Sequence, residues 1–264
     1  MARRSPLITV MAAAADKAAR ALIRDFNEVE HLQVSRKGPN DFVSAADLRS
    51  ERTLKEVLAR ARPNFGFLLE EGGEIVGKVD GSRWIVDPLD GTLNFLHSVP
   101  HFCISIAAEE NGELIAGIVF DPLRDETFWA ERGQGAYVNS RRLRVAARDK
   151  LADCLIGHGR AADDSPEARV RFLAQQDHVL AHTRDVRRMG SAALDLAYVA
   201  AGRLDGFWEE GLSPWDTAAG VVLIREAGGY VTGLDGRDIE LARGDILAAN
   251  PHLHGALHKV LAGH

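Results

Sequence analysis

An apolar strand that runs without a break into two aspartates is the feature this chain's fold must accommodate. The stretch is WIVDPLDGTLNF, Trp84 to Phe95, where Asp87 closes an apolar run and Asp90 follows three positions later. Two carboxylates a few ångströms apart do not both stay ionised without a counter-charge. Either one takes up a proton or a cation lies between them. Pro88 and Gly91 force a turn, so both side chains can point the same way. A second Asp-Pro-Leu, Asp121-Pro122-Leu123, lacks the Gly-Thr and lies between two predicted strands. It reads as a plain turn.

Other carboxylates stand at comparable places. Glu70 and Glu71 end the apolar strand Phe65–Leu69, and strands ending on one side of a sheet bring their last carboxylates together. Asp216 falls in the first turn of a helix over Ser213–Ala227, where it also complements the helix dipole. Ser213 as N-cap, Pro214 at the first position and Gly228-Gly229 past the end make that helix's signals unusually complete. Asp41 and Asp47 bracket DFVSAAD, as a turn residue and the cap of the next helix. Clustered oxygen donors suit a hard divalent cation. No Cys-x-x-Cys or His-Glu-x-x-His spacing offers a zinc site, and His252, His254 and His258 read as surface residues. A helix starting at Gly91-Thr92 aims free amides at an anion.

The rest of the chain supplies layers. Leu7, Met11, Ala15, Ala18, Leu22 and Phe26 recur at helical spacing, which predicts one amphipathic helix to about Glu30 rather than an export signal. A polar loop, Ser35 to Asn40, precedes a helix over 46–61. Strands are predicted at Phe102–Ala108 and Leu114–Phe120, joined at Asn111-Gly112, and at Glu126–Ala130. The first part, residues 1–150, reads as helices on a mostly antiparallel sheet and holds the main metal motifs. In the second, 151–264, strands at Cys154–Ile156 and Asp205–Glu209 alternate with helices at Pro166–Gln176, Ser191–Ala201 and Ser213–Ala227, an α/β pattern. No linker separates the parts, so they are expected to share an interface.

Composition narrows the function classes. A net charge of −6 with interspersed signs gives no general attraction to nucleic acid or an anionic membrane. No run approaches the roughly 18 apolar residues of a membrane span. Cys103 and Cys154 read as core thiols of a reducing, cytoplasmic compartment.

Asp-x-x-Asp-Gly-Thr differs from the D-x-D-G-T of the haloacid-dehalogenase phosphatases by one intervening residue, which redirects the side chains. DFVSAAD, LLEEGGE, WIVDPLDGTLNF and GLSPWDTAAG, in that order, resemble the inositol monophosphatase family of Mg²⁺-dependent, lithium-sensitive phosphatases. The resemblance covers nearly the whole chain, with MGSAALDLAYVAAGRLDGFWE in the expected interval. It implies an α+β and α/β fold of stacked layers, a layered αβαβα sandwich of the inositol monophosphatase and fructose-1,6-bisphosphatase type, with the site between the two parts.

By that resemblance, Glu70, Asp87 and the Leu89 carbonyl hold a first Mg²⁺, and Asp87, Asp90 and Asp216 a second, with a third weaker ion near Glu70. Asp47 and Thr92 orient the attacking water, with Glu70 close by. Gly91 and Thr92 amides hold the phosphate. Gly190, Ser191, Ala192 and Glu209 meet the polyol, and Lys37 lies near the active-site loop. Leu69 and Ser44 depart from the commoner Gly and Thr without removing a ligand. The implied reaction is direct hydrolysis of a small phosphate monoester, inositol 1-phosphate first, by a homodimer. Histidinol phosphate and fructose 1,6-bisphosphate are alternatives, as is a protein-binding role in a transcription complex.

Overall fold

The computed structural model describes residues 4–29, 34–38, 41–160 and 165–263 and, over 34–38 and 41–44, the backbone alone. Ser5 caps α1 (Pro6–Asn27) by accepting the Ile8 amide, and Pro6 sits where no donor is needed. Leu7, Met11, Ala15, Ala18 and Leu22 are buried on one face, as their spacing predicts. Phe26 packs against the rings of Phe95 and Phe102 at centroid distances of 5.5 and 5.0 Å. The helix stops at Asn27, short of the predicted Glu30. The polar segment expected as a loop is an antiparallel ribbon, β1 (Val34–Gly38) and β2 (Asp41–Ser44). The two strands pair from Val34 opposite Ser44 to Gly38 opposite Asp41, and Pro39 and Asn40 of the predicted loop lie outside the described residues. α2 (Ala45–Ala61) follows directly.

The large sheet holds β3 (Gly66–Leu69), β4 (Gly73–Ile75), β5 (Arg83–Asp90), β6 (Cys103–Glu110), β7 (Glu113–Asp121), β8 (Glu126–Glu131), β9 (Gly135–Val138) and β10 (Arg141–Arg142). Their spatial order is β10-β9-β8-β7-β6-β5-β3-β4. Neighbours pair antiparallel except β3 and β5, which run parallel with Leu69 opposite Val86. Asn111 and Gly112 join β6 to β7 with φ of 55° and 76°, the left-handed pair that a tight hairpin requires. After β5 comes a short helix, α3 (Thr92–Leu96), with Gly91 as its left-handed N-cap.

The second sheet orders β12 (Asp185–Arg187), β11 (Leu155–His158), β13 (Gly206–Glu209), β15 (Ile246–Ala249) and β14 (Tyr230–Thr232). Helices α4 (Pro166–His182), α5 (Ala192–Ala200), α6 (Pro214–Glu226) and α7 (His254–Ala262) complete the chain. α4 continues past the predicted Gln176, since residues 177–182 hold no breaker.

The layers run α1 and α2, the large sheet, α5 and α6, the small sheet, then α4 and α7. This is the expected αβαβα order. Along β6, Ile104, Ile106 and Ala108 enter the core under α1, while Cys103 and Ala107 enter the core against α5 and α6. That middle core contains Ile85 and Phe128 together with Leu196 and Phe207, so the two parts share an interface. Small residues set the spacing there. A Cβ on Gly117 of β7 would sit 2.7 Å from the Ala219 carbonyl oxygen of α6. Both cysteines are buried and free. Among the described residues, no helix is long and apolar enough to cross a membrane.

Candidate metal centre

The parallel pair brings the first acids together. β3 and β5 end side by side, and the Glu70 amide donates to the Val86 carbonyl at 3.3 Å, so Glu70 arrives beside Asp87. Asp87 is on Ile85's side of β5 and so faces the middle layer. Asp87 pairs with Ser105 and Asp90 with Cys103, an irregular register that leaves a bulge at Pro88 and Leu89. The Leu89 amide donates to Asp87 Oδ1 at 2.9 Å, which closes the turn. Across the sheet, Ser105 Oγ donates to the Trp215 carbonyl at 3.1 Å and anchors the start of α6. Asp216 Oδ2 accepts from the Ser213 amide at 2.7 Å, so Asp216 caps its helix while facing the cluster.

Carboxylate oxygens of Asp87, Asp90 and Asp216 lie within 4.8 Å of one another. Asp87 shares a hydrogen bond with Glu70. Among the described residues, no lysine or arginine forms an ion pair with these three aspartates. Burial, then Glu70, Asp90 and Asp216, push Asp87 well above the usual carboxylate range. Burial and Asp90 push Asp216 up to about 7. Burial raises Asp90 too, against the pull of hydrogen bonds from Ser191 and Ala193. An all-oxygen cluster whose charges oppose one another fits a hard divalent cation. Cys103, whose thiol burial pushes well up, does not add a thiolate to it.

The sequence-predicted partners converge on the same place. Asp47, fully buried in the first turn of α2, lies 3.0 Å from Thr92 Oγ1. Thr92 Oγ1 is also 3.0 Å from the Leu89 carbonyl oxygen, so its single proton serves one or the other. Asp47 is thus inside the helix rather than its cap. Gly91 has φ of 94°, and a Cβ there would meet the His101 carbonyl oxygen at 3.0 Å, so glycine is required. A cavity of about 390 Å³ opens on Asp90 and Asp216 and is lined also by Gly190, Ser191, Ala192 and Glu209. Burial, then Asp216, Asp90 and Asp195, raise Glu209 well above its ordinary range.

Ser191 borders the cavity, but its hydroxyl donates to Asp90 Oδ2 at 2.6 Å, joined there by the Ala193 amide at 2.8 Å. Its side chain therefore orients Asp90. Several contributors escape a reading of the sequence. Asn94 Nδ2 reaches the carbonyl oxygens of His101 and Met189 at 2.7 and 2.8 Å, tying α3 to the Gly190 segment. Asp195, which borders the cavity, meets His101 Nε2 at 3.0 Å. No local pattern marks contacts between residues about a hundred positions apart. The side chains of Lys37, Asp41 and Ser44 lie outside the described residues. His254 is half-buried against Thr232 Oγ1 at 3.0 Å rather than on the surface, because α7 packs over β15.

Asp121 serves as an internal control. Its Oδ1 accepts from the Leu123 and Arg124 amides, the same turn as at Asp87, but its Oδ2 is neutralised by the Arg124 guanidinium at 2.8 Å. It is the plain turn its sequence suggests.

These shifts carry a sign. Asp216 titrates near 7 in the fold and near 4 in an unfolded chain. The fold then binds more protons than the unfolded chain, so stability falls as pH rises between those values. In chelator, the melting temperature is expected to drop from about pH 5.5 to about pH 7.5, and the gain on adding a divalent cation to grow. A melting temperature equally indifferent to pH and to cation would contradict the cluster's electrostatics.

Comparison with known proteins agrees with this geometry. The profile described as "Inositol monophosphatase family" matches residues 3–264. An inositol-1-monophosphatase of Rhizobium meliloti is 53% identical over 98% of this chain and 97% of its own. The Nus factor SuhB of Pseudomonas aeruginosa is 41% identical over 98% and 97%. The crystal structure of the extragenic suppressor protein suhB from Bartonella henselae superposes with a TM-score of 0.94 at 49% identity, covering 97% and 98%. With its four motifs gathered about one acidic cluster and a family match over nearly every residue, the chain belongs to the inositol monophosphatase family.

Proposed function

We propose that the chain hydrolyses a small phosphate monoester, inositol 1-phosphate first among them, with Mg²⁺ held by Glu70, Asp87, the Leu89 carbonyl, Asp90 and Asp216. One observation carries this reading: three buried or half-buried aspartates within 4.8 Å, at a cavity also lined by Glu209. Bound there, Mg²⁺ neutralises phosphate charge and acidifies a water. Asp47 and Thr92 hold that water through the threonine hydroxyl. Gly91 and Thr92 amides face the phosphate at the start of α3. Glu209, raised by burial, hydrogen-bonds a polyol hydroxyl, and the Gly190–Ala192 segment borders the ring.

The test is phosphate release from inositol 1-phosphate, fructose 1,6-bisphosphate, histidinol phosphate and 3′-phosphoadenosine 5′-phosphate. Turnover of inositol 1-phosphate is expected to be the fastest, to vanish in chelator, to return with Mg²⁺ and to fall in lithium. Hydrolysis indifferent to chelator for every ester ends the reading. The proposal includes a cytoplasmic homodimer, read out by light scattering. A protein-binding role in a transcription complex is a second reading, favoured by the name Nus factor SuhB on relatives about two-fifths identical. An Asp90→Asn variant that still co-purifies with RNA polymerase supports that role, and loss of the wild-type association removes it.

A further inference from the structure

α2 sends three buried polar side chains to three separate pieces of the acidic centre. Asp47 meets Thr92 Oγ1 at 3.0 Å, Ser50 Oγ donates to the Pro88 carbonyl at 2.8 Å, and Glu51 Oε2 accepts from the Glu71 and Gly72 amides at 2.8 and 3.3 Å. Positions 47, 50 and 51 share one helix face. Ser50 is fully buried and Glu51 is 8% exposed, so neither is a solvated surface group.

What they grip matters more than that they are buried. The Pro88 carbonyl and the Leu89 amide belong to one peptide plane. Ser50 holds its oxygen end, and Asp87 Oδ1 accepts from its nitrogen end at 2.9 Å. Ser50 therefore sets the plane that in turn orients Asp87. Glu70 is pinned in the same manner. Its own amide is held by the Val86 carbonyl, and the amide that follows it is held by Glu51. The Glu51 carboxylate approaches because residue 72 is glycine: a Cβ there would meet Glu51 Oε1 at 2.9 Å.

We infer that Ser50 and Glu51 are positioning residues of the metal centre, acting through the backbone on Asp87 and Glu70 without touching metal or substrate. The inference rests on the metal-dependent reading above. A purely structural role would lower stability and leave cation affinity alone, and the two are separable by experiment.

The test titrates Mg²⁺ into metal-free wild type, Ser50→Ala, Glu51→Ala and Glu51→Gln by calorimetry. It also measures the Mg²⁺ concentration for half-maximal phosphate release, and KM for inositol 1-phosphate at saturating Mg²⁺. Ser50→Ala and Glu51→Ala are expected to weaken Mg²⁺ binding by roughly tenfold or more, with KM held within about twofold. Glu51→Gln, which keeps an acceptor oxygen, is expected to fall between wild type and Glu51→Ala. If Glu51→Ala does not fold, Ser50→Ala and Glu51→Gln decide the matter. Folded variants with wild-type Mg²⁺ affinity overturn the inference while leaving the reading of the site intact. A wild-type protein that binds no Mg²⁺ overturns both.

Discussion

Replacing Asp87 with asparagine is expected to lower Mg²⁺-dependent phosphate release by about a thousandfold or more, equal to about 4 kcal/mol of transition-state stabilisation, while raising the melting temperature of the metal-free protein. The two effects share one cause. Asp87 is buried, 2% exposed, among Glu70, Asp90 and Asp216. Asparagine has the same shape, and its amide oxygen still accepts the Leu89 amide, so the turn survives. Its NH₂ offers a donor to the neighbouring carboxylates at every pH, where an ionised Asp87 adds only repulsion. What disappears is the charge a cation needs. Phosphate release and thermal melting in chelator, on one preparation, check both halves. Activity within tenfold of wild type, or a melting temperature lowered by several degrees, would show that the cluster does not work this way.

The second large effect falls on a residue without a side chain. Gly117→Ala is expected to cost about 2–3 kcal/mol of stability and to weaken Mg²⁺ affinity as well. The new methyl would lie 2.7 Å from the Ala219 oxygen and 2.9 Å from its Cα. Those are backbone atoms of α6 and cannot rotate away, so the helix must lift from the sheet. Its first turn carries Asp216 and the Trp215 carbonyl gripped by Ser105. A comparison variant, Gly112→Ala, meets open space and incurs only the strain of its φ of 76°, about 1 kcal/mol. Urea denaturation with and without Mg²⁺ reads both. Equal midpoints for Gly117→Ala and wild type would mean that the α6 contact is not tight.

The parts of this site that the sequence announced are those with a local signature. Asp87 and Asp90 stand out because an apolar strand ends in charges. Asp216 stands out because Ser213 and Pro214 mark its helix. Asn111-Gly112 marks the hairpin. The parts that stayed hidden depend on contacts across the fold. Ser50 and Glu51 sit in a helix otherwise rich in exposed charge, and nothing nearby tells a buried glutamate from a solvated one. His101 and Asp195 are 94 positions apart, and nothing local to either points to the other. The first strand of the β1–β2 ribbon reads as a loop because Ser35, Arg36 and Lys37 are polar in succession and alternation gives no signal there. Asp87 and Asp121 open with the same three residues; the missing Gly-Thr marks the second as a turn in the sequence, and the arginine three positions after Asp121 is what neutralises it.

The middle layer decides where this chain is free to diverge. Within that layer two approaches are close: a Cβ on Gly117 would meet the Ala219 backbone of α6, and one on Gly220 would meet the Leu196 side chain of α5, so these points of the spacer do not admit larger side chains. Leu93, Arg160, Arg188, Met189 and Leu212 border the cavity mouth without belonging to that spacer, and Leu93 is half in water. New preferences among ligands of similar size can be written into this rim, while the acids below keep their places.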